Sequence, residues 1–304
     1  MKDLIRPIVP LTLFGCTIWC VVTLHYNIAM VCFFLMFAVI LVGACIDAAK
    51  DDDKDQPVYN VRVNKSPFTV YYGEDLQITD EQIKACLLKR QPYFYSLNTL
   101  DKLKFIDRVK KFIRAKTFKI HASEGVREMP ILVSSAAIQL SFGMENYLLP
   151  QFEHIHIYPE EFMFVHKNFN VLEGNVSGAN INISWKHFLE GFALPTDGQN
   201  VGLHEMAHAY YYQNFVCKEN TDDCFVNGFR QFDVYANKAF ESEKYPGNDL
   251  YSDYALSNFQ EFWAESIEIF FEKPVFLNNQ YPELYTSLKF LLRQDPINNI
   301  VSGV

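Results

Sequence analysis

Basic residues are in short supply in this 304-residue chain: 27 lysines and arginines face 36 aspartates and glutamates, for a formal net charge of −9. Proteins that grip a phosphate backbone carry the opposite excess, so nucleic acid is excluded as a partner. Cysteine is sparse too. Four of the 7 (Cys16, Cys20, Cys32 and Cys45) lie in an apolar N-terminal region, leaving only Cys86, Cys217 and Cys224 beyond it. The Cys217–Cys224 spacing is not a Cys-x-x-Cys metal or redox pattern. These two read as free thiols, or as a small disulfide loop if the chain is exported. There is no internal repeat and no low-complexity tract beyond a short acidic linker. What is present is ordinary for a globular protein, with 49% hydrophobic and 21% charged residues. The 27 phenylalanines and 17 tyrosines promise a well-filled core. The length leaves room for one large domain or two small ones.

Residues 8–46 are nearly all apolar and break only at His25-Tyr26-Asn27. A single helix of that length would far exceed the roughly 30 Å of a hydrocarbon core. Two spans, about 8–24 and 28–46, each fit. The expectation is a membrane anchor over 1–47, built as a helical hairpin in the lipid bilayer. Lys2 and Arg6 precede it and Lys50 and Lys54 follow, which places both ends in the cytoplasm. The alternative is export, by a cleaved signal or by lipid attachment at Cys45, although Gly43 fits a lipid box poorly. A charged linker, 48–57, leads into a single domain expected over 58–304.

The richest stretch is Val201-Gly202-Leu203-His204-Glu205-Met206-Ala207-His208-Ala209. On a helix, residues four apart share one face, so His204 and His208 can reach one metal ion together. Glu205 projects beside that ion without competing for it, as a base acting on metal-bound water requires. Bare His-Glu-x-x-His also arises by chance on amphipathic helices, so its surroundings matter.

Several elements can be read around it. Tyr59, Val61 and Val63 alternate with polar residues in an extended stretch over 58–72. A helix starts near Thr79-Asp80, with Ile83, Cys86 and Leu87 on one side. Another runs over about 101–114, its apolar face drawn as Leu100, Leu103, Ile106, Val109 and Ile113, with a solvated basic face between. Ile131–Phe142 reads as a buried helix stopped by a glycine cap at Gly143. Glu153–Tyr158 alternates as a strand with His154 and His156 on a polar face. Asn180–Trp185 alternates as well and is expected to be an edge strand able to pair with an extended peptide, which nominates Asn180, Asn182 and Ser184 for substrate binding. The loop 192–200 leads into the motif helix. Residues 216–250 read as an irregular surface excursion. A helix over 258–272 is expected to be capped by Ser257 with Gln260, and a last helix runs over about 283–293.

A catalytic zinc usually has three protein ligands. No third histidine follows in a His-x-x-Gly-x-x-His pattern. The 258–272 helix offers Glu261, Glu265 and Glu268, at i, i+4 and i+7 among large apolar residues, where carboxylates are costly to bury unless paired or metal-bound. Spacing alone leaves the choice among them open.

The block from Gly174 to Ala209, with Ser184-Trp185, Gly191, Asp197-Gly198, Asn200-Val201 and Leu203–His208, resembles the Mlc titration factor A family of zinc peptidases. So do Glu261-Phe262-Trp263-Ala264, Phe270-Phe271 and Gln294-Asp295-Pro296, and the similarity reaches upstream through Ile157-Tyr158-Pro159 to about residue 80. The metal core is also similar to the catalytic domain of anthrax lethal factor. The resemblance implies a zincin-like α+β domain with one catalytic Zn2+. It implies Glu261 as third ligand beside His204 and His208, Glu205 as base, and Tyr254 as a donor to the oxyanion, with Tyr251 the nearby competitor. Glu265 is not fixed in the family; its readings are a hydrogen bond to a ligand histidine or a plain structural role. The N-terminal hairpin and the Cys217–Cys224 region depart from the family pattern.

Together these observations point to a membrane-anchored zinc metallopeptidase acting on peptide or protein substrates. The rival is a zinc-binding regulatory module that contacts a transcriptional repressor or other protein partner with little or no turnover. Intact Glu205 argues against the rival, since binding alone has no need of it.

Overall fold

A computed structural model describes residues 69–122, 126–163, 171–217, 220–245, 249–298 and 300–301. The expected membrane hairpin, the linker and most of the 58–72 stretch lie outside the described residues. Among the described residues, no helix is long and apolar enough to cross a membrane.

The chain opens with β1 (Thr69–Tyr72), α1 (Asp80–Arg90), α2 (Pro92–Ser96), α3 (Thr99–Arg114), β2 (Thr117–Ile120) and α4 (Glu128–Ser141). Next come β3 (His154–Tyr158), β4 (Phe162–Met163), β5 (Val171–Leu172), β6 (Gly174–Ser177), β7 (Asn180–Ser184), α5 (Trp185–Ala193) and α6 (Val201–Tyr211). A π-helical turn, Tyr212–Cys217, leads to α7 (Asp223–Glu243) and a 3-10 turn at Ala255–Ser257. The end of the chain carries α8 (Phe259–Glu272), α9 (Pro274–Gln280), α10 (Pro282–Leu292), β8 (Gln294–Asp295) and β9 (Ile300–Val301).

Among the described residues the main sheet has five strands in the order β1-β2-β3-β7-β6. It is mixed: β2, β3 and β7 run parallel, while β1 and β6 pair antiparallel at the two edges. Alternation decides its faces. Phe118, Ile120, Ile155, Ile157, Ile181 and Ile183 are all fully buried in the main core, and α4 is buried from Met129 to Ser141. On the other face, His156 is buried rather than solvated and meets His121, Nδ1 to Nε2, at 2.9 Å. The architecture is the α+β arrangement expected.

Local signals placed most helices correctly. Thr79 and Gln82 form a reciprocal capping box at α1. On α3 the buried side is Phe105, Ile106, Val109, Phe112 and Ile113, whereas Leu100 and Leu103 of its first turns are exposed. Gly143 does end a buried helix, but not through a left-handed cap, since its φ is not among the positive ones. A Cβ there would lie 2.2 Å from the Leu292 carbonyl oxygen, so the position is kept bare by close packing. Arg108 instead caps the end of α4, donating to the Ser141 and Phe142 carbonyls.

Three further expectations are overturned. Asn180–Ser184 is not an edge strand: β7 is hydrogen-bonded on both sides, and β6 is the edge. Side-chain alternation reports which face a residue takes, not which strands flank it. Residues 216–250 are not an irregular excursion, because α7 occupies 21 of them. Phe225, Phe229, Phe232, Ala236 and Ala239 recur at helical spacing and are buried. Finally, Asn258 rather than Ser257 caps α8, accepting from the Gln260 and Glu261 N–H groups.

Candidate active site

Helix α6 carries the His-Glu-x-x-His stretch and packs against strands β6 and β7 and helices α4 and α8. Asn200 starts it, its side chain accepting the Leu203 N–H at 3.0 Å. Gly202 allows close packing, since a Cβ there would fall 2.6 Å from the Phe188 ring. Helix α8 is held against α6 by the buried Trp263, whose indole N–H donates to the Ala207 carbonyl at 2.9 Å. Phe225, Phe229 and Phe232 of α7 meet that indole edge-to-face. The helix misread as a loop is therefore what braces α8.

This docking brings His204, His208 and Glu261 together. The His204 Nε2, His208 Nε2 and Glu261 Oε2 atoms form a triangle with edges of 3.1, 3.1 and 3.2 Å. Tetrahedral ligands at about 2.0–2.1 Å from a zinc ion are about 3.3 Å apart, so the triangle is the size such an ion requires. Two imidazole nitrogens and a carboxylate oxygen are also a donor set that zinc accepts.

Glu268 sits two turns along α8 from Glu261 and takes the far side of the same imidazole. His204 Nδ1 lies 2.7 Å from its Oε1. A carboxylate can only accept, so the proton sits on Nδ1 and the Nε2 lone pair is left for a metal. Glu268 Oε2 also accepts the Asn200 N–H. Burial disfavours a charged His204, but Glu268 and Glu261 outweigh it and raise its pKa well above the ordinary imidazole value. Glu261 is likewise costly to bury, yet the two histidines hold its pKa below the usual carboxylate range. The cluster favours positive charge at its centre.

Glu205 is buried at 4% exposure, and its Oε2 has no hydrogen-bond partner among the described residues. Burial pushes its pKa up to about 7. It lies under edge strand β6, so close that a Cβ on Gly174 would come within 2.4 Å of its Oε1. A cleft of about 200 Å³ opens here, lined by Gly174, Asn175 and Val176 of β6 together with His204, Glu205 and Tyr254. The Tyr254 ring lies 6.5 Å from that of His204. Burial and the Glu261 carboxylate push its pKa up to about 12. Tyr251 is turned away into the core, its hydroxyl 2.9 Å from Ser266 Oγ.

Of the residues nominated from sequence, the structure brings together His204, Glu205, His208, Glu261 and Tyr254. Glu265 stands apart from the histidines: its carboxylate accepts from the Ser252 N–H and hydroxyl at 2.7 and 2.5 Å. The contact to His204 belongs to Glu268. Asn180, Asn182 and Ser184 do not line the cleft, and Asn182 and Ser184 are buried within the sheet. Cys224 is a free thiol, so no disulfide closes the Cys217–Cys224 loop. The seven-residue offset from Glu261 to Glu268 was the signal for Glu268, because two helical turns return a side chain to nearly the same line.

The sequence profile of the glucose-regulated metallo-peptidase M90 family matches residues 74–293, well over half of the chain. No curated protein matches it. The chain belongs to this metallopeptidase family, the Mlc titration factor A family, whose resemblance was carried by the residues around the His-Glu-x-x-His stretch.

Proposed function

We propose that this member of the M90 metallopeptidases hydrolyses peptide bonds with one zinc ion held by His204, His208 and Glu261. The observation that carries the reading is the 3.1–3.2 Å triangle of their ligand atoms with Glu205 buried beside it. Bound zinc supplies Lewis acidity, polarising a carbonyl and lowering the pKa of water toward about 7. Glu205 takes the proton of the attacking water and delivers it to the leaving amine. Its pKa of about 7 suits both halves of that transfer. Glu268 fixes the orientation and tautomer of His204. Tyr254, at the rim of the cleft, donates to the oxyanion. Strand β6 replaces β7 as the backbone against which an extended peptide lies, because it borders the cleft and is the last strand of the sheet among the described residues.

The test separates binding from chemistry. Glu205→Gln is expected to keep one zinc per chain and lose hydrolysis of a peptide library, whereas Glu261→Ala loses the zinc. Hydrolysis by Glu205→Gln at the parent's rate would sink the mechanism.

We propose also that residues 8–46 anchor the domain in a bilayer with the catalytic side in the cytoplasm. Alkaline carbonate extraction should leave the full chain in the membrane pellet, and release into the supernatant would overturn the anchor.

A further inference from the structure

A second cavity, of about 270 Å³, lies among Gln91, α2, α4, α5, α8 and β8 and shares no lining residue with the zinc cleft. Tyr93, Phe192 and Phe271 give it aromatic walls. Two nearly buried amides also line it, Gln91 at 3% and Gln139 at 7% exposure. Their neighbours fix which way each amide points. Ser135 Oγ gives its proton to the Leu132 carbonyl and so can only accept from Gln91 Nε2 at 3.3 Å. The same Nε2 donates to Gln139 Oε1 at 3.1 Å. That leaves Gln91 Oε1 as a spare acceptor and Gln139 Nε2 as a spare donor, on two amides joined to each other. Neither atom is sealed off by protein.

The charge of the wall narrows the ligand. Among the described residues no Lys, Arg or His lines the cavity, so an anion would lose its hydration without compensation. The two carboxylates are already engaged. Asp295 takes Lys289, Tyr285 and Asn298, and Glu272 accepts from the Gly198 N–H and Asn200 Nδ2 at 3.0 and 2.9 Å. A cation is therefore not required. A few placed polar groups between apolar walls describe a small-molecule site, here, at about 270 Å³, just under the usual range of about 300–1,000 Å³.

The cavity also touches the metal centre at one remove. Asn200 lines it and begins α6. Its side chain donates to Glu272, and its backbone N–H donates to Glu268, the partner of His204.

We propose that this cavity binds a small uncharged ring compound carrying a hydrogen-bond donor beside an acceptor, and that its occupancy reaches the metal site through Glu272, Asn200 and Glu268. The coupling half rests on the zinc reading above; the binding half does not. Two sources share this chemistry, the edge of a lactam or carboxamide ring and the vicinal diol of a sugar or cyclitol.

The experiment is calorimetric titration of the detergent-solubilised full chain with nicotinamide and uracil for the first source, and D-galactose and myo-inositol for the second. Galactose 6-phosphate serves as the anionic counter-probe. One pair should bind saturably, and the phosphate ester should not. Gln139→Leu should weaken binding at least tenfold, and Thr196→Trp, at an exposed position of the cavity rim, should abolish it. Absence of saturable binding by all four probes, or binding unchanged in both variants, overturns the site. Competition with a chelator then measures zinc affinity with and without saturating probe, where a shift of threefold or more is expected and an unchanged affinity overturns the coupling. A chain that binds probe but no zinc would refute the metallopeptidase reading and leave the cavity standing.

Discussion

Glu268 shows how much a single side chain can decide. It is 6% exposed, it bonds His204 Nδ1, and it receives the Asn200 N–H. Removing such a partner typically costs about 10–100-fold in metal affinity. Glu268→Ala is therefore expected to weaken zinc binding by that order in chelator competition, while Glu265→Ala, which loses only its Ser252 contacts, leaves zinc affinity unchanged. Loss of zinc from Glu265→Ala instead would reverse the assignment. For Tyr254→Phe the expectation is retained zinc and a fall of about 10²–10³ in kcat. A change confined to KM would remove Tyr254 from the chemistry.

Among elements, β6 and α7 are two that the chain's local pattern did not reveal. On β6, Gly174 leaves just enough room for Glu205, with only 2.4 Å between a would-be Cβ and Oε1. Gly174→Ala should displace Glu205 and, on the proposed mechanism, cut hydrolysis at least tenfold while zinc stoichiometry stays at one per chain. Full activity in this variant would mean that Glu205 works from another rotamer. Helix α7 predicts a stability effect. Phe229 is 5% exposed and its ring lies 5.0 Å from that of Trp263. Phe229→Ala should cost about 3–5 kcal/mol in urea unfolding, whereas a surface loop position would cost under about 0.5 kcal/mol. Its phenylalanines were visible at helical spacing from the outset. The polar residues between them, and the lack of any long apolar run, hid a helix that buries only one narrow stripe.

Across the whole molecule, the face of the sheet away from the helices makes stability depend on acidity. Burial lowers the His121 pKa to about 4 and that of His156 to about 3, from 6.5. Between about pH 4 and 6.5 the unfolded chain then binds more protons than the folded one, so stability falls as pH drops through that window and is unaffected by these groups above it. The two rings share one N···N contact of 2.9 Å and titrate as a pair. His156→Gln should flatten the dependence of the urea midpoint between pH 6.5 and 4 relative to the parent, both measured with chelator present. An unchanged slope would place the acid sensitivity elsewhere.

The His204–His208 pair proposed to hold zinc, Glu205 beside it, the α+β class and most helices were already legible in the sequence. Each depends on spacing within a turn or two of chain, which fixes geometry without any distant contact. The tertiary structure decided that Glu268 rather than Glu265 serves His204, that β6 rather than β7 borders the cleft, and that α7 braces the site. Those outcomes join residues distant in the chain, 64 positions apart for His204 and Glu268, or depend on which strand lies beside which. Such choices are made by packing: Trp263 docking on Ala207, and β7 finding partners on both sides.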